Sequence, residues 1–242
     1  MTDRTTAALN IVLLQPTKTL LRRLNTDVVA VIPAWAVVVA RAGDGAKSRL
    51  ASELTLEHRQ KLVLAMLADV IEVCARAEPE GVLAVVDTAP ARSVVERAGA
   101  IALDDPGFGD MNSAIRFGIQ AACQRSAHTV IVLPADLPLI SVTDLKALSA
   151  AAATARRAVI IGASHDGQGT NALLLRPPDV IAPTFGPPSL DRHIQAGHAA
   201  GALTVVCSDL GLAYDIDTPQ DLAALRKESP GPHTAAALMD LL

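Results

Sequence analysis

Two hydrophobic periodicities alternate along this chain. Short runs that are apolar at every position, such as residues 36–40, 82–86 and 130–133, are separated by longer stretches in which apolar side chains recur every third or fourth residue. A run apolar on both faces marks a strand buried inside a parallel sheet, and the longer period is that of an amphipathic helix. Further strands are expected at 101–103, 158–161, 172–175 and 203–206, with the 158–161 and 172–175 segments reading as partners across a glycine-bearing loop. Helices are expected from Thr55 to about Ala77, over 91–98 and 112–123, from Thr143 to about Ala155, from Ser189, and from Thr218 to about Arg226. In the first of these, Leu62, Met66, Val70 and Val73 form a stripe that Val63, Leu67, Ile71 and Cys74 widen, which suits a helix lying on a sheet. The order of elements predicts an α/β fold: a single domain with an open, mostly parallel sheet flanked by helices.

The two ends are less regular. Residues 1–34 read as an N-terminal extension, with a short strand in 9–14 and a helix around Leu20, Leu21 and Leu24. Residues 35–228 read as the main domain. Residues 229–242 form a tail whose last apolar piece either packs back on the domain or meets a second copy of the chain.

Composition narrows the picture. Half of the 242 residues are hydrophobic and only 2% are aromatic, so the core must be built from Ala, Val, Leu and Ile. With a net charge of -4 and no cation cluster beyond those in 18–23 and at Arg156-Arg157, nothing in the electrostatics calls for nucleic acid. The apolar runs are too short and too broken by proline to span a bilayer, and the N-terminus lacks the basic-then-apolar order of a signal peptide. A cytoplasmic location is expected. Cys74, Cys123 and Cys207 form no CxxC pair and read as small buried hydrophobes in a reducing compartment.

Ligands of open α/β sheets bind beyond the carboxyl ends of the strands, and the polar residues of interest collect there. Asp136 follows the 130–133 strand and stands between Pro134 and Pro138, a carboxylate held by a stiffened turn. Residues 41–50 make a glycine-bearing loop with Arg41, Lys47 and Arg49, which fits a phosphate site and a solvated turn equally; neither a P-loop nor a G-x-G-x-x-G motif is present. The glycine-rich stretch 104–113, leading into a helix at Asn112, fits a nucleotide site or an ordinary capped loop. The loop 164–171 offers glycines, a hydroxyl and an amide to an anion, with His165 reading as a turn residue. Ser189 stands at a helix start with Arg192 one turn on, again an arrangement for phosphate or carboxylate. Asp215 and Asp217 share a face of an extended segment, although on the residues alone Asp217 before Thr218-Pro219 reads first as a helix-start residue.

Taken together, AKSRL (46–50), LPADLPL (133–139), GQGTNALLL (167–175), FGPPSLDRH (185–193) and DIDTPQDL (215–222) resemble the guanylyltransferase family of coenzyme F-420 biosynthesis, over residues 35–225. The resemblance implies a nucleotide-diphospho-sugar-transferase (Rossmann-like) fold. It also implies transfer of GMP from GTP to the phosphate of 2-phospho-L-lactate, phosphoenolpyruvate or 3-phospho-D-glycerate. Carried onto this chain, it makes Lys47, Asp136 and Asp217 the catalytic set. Asp136 and Asp217 would hold Mg²⁺, with Asp215 the alternative to Asp217. Lys47, Arg41 and Arg49 would meet the GTP phosphates, and Asn112 would lie by the guanosine. Thr170, Gly186 and Ser189 would cradle the acceptor phosphate, and Arg192 or His193 would reach its carboxylate. Where family members have a lysine, this chain has Arg41, which keeps the charge and changes the donor geometry. The partners implied are GTP and a small phosphorylated acid, with the next enzyme of the pathway and a second copy of the chain as candidates. LPADLPL by itself suggests only the wider nucleotidyltransferase group. The alternatives are therefore an enzyme of the same fold with another acceptor, such as molybdenum cofactor, or a nucleotide-binding module without catalysis.

Overall fold

In a computed structural model of the chain, residues 12–14, 32–77, 79–208 and 210–241 are described. The helix expected around Leu20, the beginning of the 9–14 segment and the cations of 18–23 lie outside them.

A single eight-stranded sheet organises the molecule. In chain order the strands are β1 (Val12–Leu14), β2 (Trp35–Ala40), β3 (Gly81–Val86), β4 (Ile101–Asp104), β5 (Val130–Pro134), β6 (Ala158–Ala163), β7 (Thr170–Arg176) and β8 (Leu203–Cys207). Their spatial order is β1-β8-β6-β7-β5-β2-β3-β4. All neighbours are parallel except at β7, which runs antiparallel to both β5 and β6. The β6–β7 hairpin read from the sequence is present; the sequence did not reveal that β7 is wedged into the middle of the sheet. Because β7 is reversed, its first residue, Thr170, lies at the same end of the sheet as the last residues of β2, β3, β5, β6 and β8.

The helices are α1 (Leu56–Arg76), α2 (Ala89–Arg97), α3 (Met111–Cys123), α4 (Val142–Ala152), α5 (Ser189–Ala199), α6 (Leu210–Ala213), α7 (Pro219–Leu225) and α8 (Pro232–Met239). Their starts are set by side chains: Thr55, Thr88 and Asp110 accept from backbone N–H groups of the first turn, and Ser141–Asp144 and Thr218–Asp221 form capping boxes. Alternation along β2 divides the core. Ala36, Val38 and Ala40 face the cluster containing α1, α4 and α7, while Val37 and Val39 face the cluster containing α3. Gly118 lets α3 lie close on β2 and β3, since a β-carbon there would come within 2.5 Å of Val37 Cγ1.

The C-terminal tail packs back on the domain. Asp69 of α1, only 3% exposed, accepts from the N–H groups of His233 (3.0 Å) and Thr234 (2.8 Å) at the start of α8. An acid on the apolar face of α1 is thereby satisfied by the unpaired donors of a helix N-terminus. Cys74 and Cys207 are buried as expected, and burial pushes the Cys74 thiol up to about 12. Cys123, at the last position of α3, is exposed instead. Among the described residues no helix is long and apolar enough to cross a membrane.

Candidate active site

The loop after β2 is built around its backbone. Asp87, the residue after β3, accepts from the N–H groups of Ala42 (2.8 Å) and Gly43 (3.2 Å). Arg59 of α1 donates to the Ala46 carbonyl at 2.9 Å. Lys47 follows in the left-handed region (φ 44°, ψ 48°) and opens a short 3-10 turn, Ser48–Leu50, anchored by the fully buried Leu50. This conformation is uncommon for a residue with a side chain and is held here by the contacts on either side.

The result is a charge cluster at the end of the sheet. Lys47 Nζ donates to Asp136 Oδ2 and, at 2.7 Å, to Asp217 Oδ1. Arg49 stands 3.8 Å from the other Asp217 oxygen, with most of its side chain in solvent. Asp136 is fixed because Ala135 N–H donates to the Val39 carbonyl and its own carbonyl accepts from Ile216 N–H. The same bond brings the 215–217 segment beside it. Asp217 precedes the Thr218–Asp221 capping box, and its N–H donates to Asp221 at 3.1 Å, so it both leads into α7 and faces the cluster. Buried Asn171 on β7 donates to Asp215 Oδ1 and to the Ala213 carbonyl, each at 3.1 Å.

Asp136, Asp215 and Asp217 each offer an oxygen within 4.8 Å of the others. Asp136 Oδ1 is buried and has no hydrogen-bond partner among the described residues. A buried carboxylate oxygen without a donor, on one of three neighbouring carboxylates, fits a hard divalent cation. Burial alone would lower the Lys47 ammonium, but Asp136 and Asp217 outweigh it and hold the group above its ordinary range, so it is charged. Burial raises Asp217, yet Lys47 and then Arg49 more than reverse this and bring it below the usual carboxylate range. Asp215 is raised, by burial first and by the charge of Asp136 next. Three acids and one lysine therefore share the site, with Asp215 more easily protonated than Asp217.

An open cleft runs from this cluster along the β2 loop, lined among others by Arg41, Lys47, Arg49, Met111, Asp136 and Asp217. Arg41 donates to the Gly109 carbonyl at 3.1 Å and pairs with Asp105 at 3.5 Å, so it also ties the 105–110 loop across the cleft.

The second group of expected residues lies past β7. Thr170 Oγ1 is 2.9 Å from His193 Nδ1, and His193 Nε2 accepts from Thr184 N–H at 2.9 Å. A main-chain N–H can only donate, so Nε2 is unprotonated, and Nδ1 carries the proton that Thr170 accepts. His193 is fully buried, and that burial, followed by the charge of Arg192, lowers it to about 4. Neither ring nitrogen is therefore free to reach a substrate carboxylate. Ser189 is also fully buried and its hydroxyl has no partner among the described residues. Arg192 donates through one nitrogen to the carbonyls of Thr184 and Gly186. Gly186 has φ 93°, a backbone that favours glycine.

Four relationships were missed in the sequence: the Asp87 cradle, the Arg59 brace, the Asn171 contact to Asp215, and a His165–Tyr214 ring stack at 4.8 Å. All but the Arg59 brace, which spans 13 positions, join residues far apart in the chain, and only the acidic and amide residue types hinted at them.

Comparison with known proteins settles the family. The pattern of the "Guanylyl transferase CofC like" family matches residues 29–240. The chain belongs to this family. A phosphoenolpyruvate guanylyltransferase from Conexibacter woesei is 36% identical over 214 residues, covering 86% of this chain and 96% of that one. One from Rubrobacter xylanophilus is 40% identical, covering 79% and 92%. A 3-phospho-D-glycerate guanylyltransferase from Phenylobacterium zucineum is 33% identical, covering 86% and 96%. Among solved structures, a nucleotidyl transferase from Methanothermobacter superposes with a TM-score of 0.58 at 16% identity, covering 80% of this chain and 96% of the other. The fold is that of the nucleotide-diphospho-sugar transferases and their relatives, as the sequence motifs implied.

Proposed function

We propose that this member of the CofC-like family transfers GMP from GTP to the phosphate of a small phosphorylated three-carbon acid, releasing pyrophosphate, in coenzyme F-420 biosynthesis. The observation that carries the reading is the placement of Lys47 between Asp136 and Asp217 at one end of the sheet, in a chain of this family. An oxygen of the acceptor phosphate forms a new bond to the α-phosphorus of GTP, and the bond from that phosphorus to the bridging oxygen of the leaving pyrophosphate breaks. A phosphate monoester is already ionised near neutral pH, so the site needs no general base. Its task is to bring two anions together.

Lys47, helped by Arg49 and Arg41, neutralises the triphosphate along the cleft, with Met111 on its wall. Asp136 and Asp217, with Asp215 beside them, would hold Mg²⁺, an assignment supported by the unpartnered Asp136 Oδ1. Bound there, the ion would polarise phosphate oxygens and stabilise the leaving charge. Thr170, Gly186 and Ser189 form the acceptor cradle; the unpartnered Ser189 hydroxyl at the start of α5 suits an anion's oxygen. Arg192 is the remaining cation on that side.

The test is incubation with GTP, Mg²⁺ and each of 2-phospho-L-lactate, phosphoenolpyruvate and 3-phospho-D-glycerate, following pyrophosphate and the mass of the product. Release with one or more of the acids supports the reading. Release with none of them refutes it.

A further inference from the structure

The Asn112 side chain joins the acceptor-side loop to the nucleotide-side helix. Asn112, at the second position of α3, donates through Nδ2 to the Phe185 carbonyl at 3.1 Å and accepts at Oδ1 from Phe185 N–H at 2.7 Å. A carboxamide presents a donor and an acceptor side by side, and here both are taken by the main chain of a single residue 73 positions away. Asp110 caps α3 by accepting from Ser113 N–H at 2.9 Å, which leaves the Asn112 amide free for this contact. The close seating of α3 on β2 at Gly118 makes that helix a fixed post.

The loop that Asn112 grips leads straight into Gly186 and Ser189. Its other main-chain bonds, with Arg192 and His193, come from α5, which is itself held to β7 by the Thr170–His193 contact. The Phe185 ring is buried edge-on against His193 and belongs to the core cluster that also holds Ala114 and Ile115 of α3. Asn112 ties the loop to the other half of the site, since its chain neighbour Met111 lines the cleft with Lys47 and Asp136.

We infer that Asn112 is a positioning residue for the acceptor: its carboxamide sets where the Phe185–Ser189 loop stands relative to the nucleotide cleft. This rests on the proposed function, which places the acceptor phosphate at that loop. Attack requires the reacting atoms to come within about 3–3.5 Å, so a loop that drifts loses acceptor affinity and turnover while the nucleotide side is untouched. A residue that read the guanosine through its amide would give the opposite pattern.

Steady-state kinetics of Asn112→Ala decide between the two. We expect the acceptor KM to rise about tenfold and kcat to fall, with the KM for GTP within about twofold of the parent. A rise in the KM for GTP with the acceptor KM unchanged, an equal rise in both, or no change in either would overturn the inference. Hydrogen exchange at the Phe185 N–H gives a readout independent of activity: it should accelerate in Asn112→Ala, and unchanged protection would also overturn the tether. If the parent protein transfers GMP to none of the three acids, the proposed function fails, while amide exchange still decides whether Asn112 holds the loop.

Discussion

Lys47 and Asp136 lie 89 residues apart, yet the Lys47 ammonium donates directly to the Asp136 carboxylate. The same nitrogen reaches Asp217, so one cation bridges two of the three acids at the sheet's end. Asp136 Oδ2 is taken by Lys47, while Oδ1 is buried and has no partner among the described residues. The lysine thus organises the acids and leaves an oxygen for a cation. Asp136→Asn is expected to reduce GMP transfer by at least about a hundredfold with the fold intact, measured by pyrophosphate release and circular dichroism. Activity near the parent level would sink the metal assignment.

Asp215 and Asp217 can be told apart by the same logic. Asp217 is held ionised by Lys47 and Arg49, whereas burial and Asp136 raise Asp215. Calorimetric Mg²⁺ titration should show affinity lost by about tenfold or more in Asp217→Asn. If only Asp215→Asn weakens the ion, the second ligand is Asp215.

The Asp87 carboxylate holds the two N–H groups that begin the Lys47 loop. Asp87→Ala removes both acceptors at about 1 kcal/mol each, so the KM for GTP should rise about tenfold or more. An unchanged KM for GTP would show that the loop keeps its shape without Asp87.

The Asp69 clamp on α8 concerns stability rather than chemistry. Asp69→Ala leaves the start of α8 uncapped beside a cavity and should lower unfolding free energy by about 2–4 kcal/mol. Gly231→Ala should destabilise as well, because its β-carbon would fall 2.3 Å from Asp69 Cγ. Urea unfolding reads both, and parent-like midpoints would show that the tail is loosely attached.

His193 predicts a pH dependence. Its folded value of about 4 lies below the ordinary 6.5, so between those values the unfolded chain binds the proton and the folded chain does not. Stability should therefore fall as pH drops from 6.5 toward 4, by up to about 3 kcal/mol, and level off below. Urea titrations at several pH values should show this slope, and His193→Asn should flatten it. An equal slope in both proteins would assign the effect to other groups.

The elements and much of the site's inventory were legible in the chain before folding. Short apolar runs bounded by turn residues suit buried strands, a 3.6-residue apolar period suits a helix with one face on a sheet, and Asp136, Lys47 and Asp217 stand beside the turns that end or begin these elements. Such signals are local, because propensity and periodicity act over a few residues. Tertiary structure alone decided which ends meet. The insertion of β7 between β5 and β6 brought Thr170 and Asn171 to the acidic end of the sheet, and with it the contact from Asn171 to Asp215. The packing of α5 and α3 buried His193, which the sequence had offered to a substrate, and set the Asn112 amide against Phe185. A hydrogen bond across 73 or 89 residues has no local signature, since either partner would look the same in the chain if the other lay elsewhere.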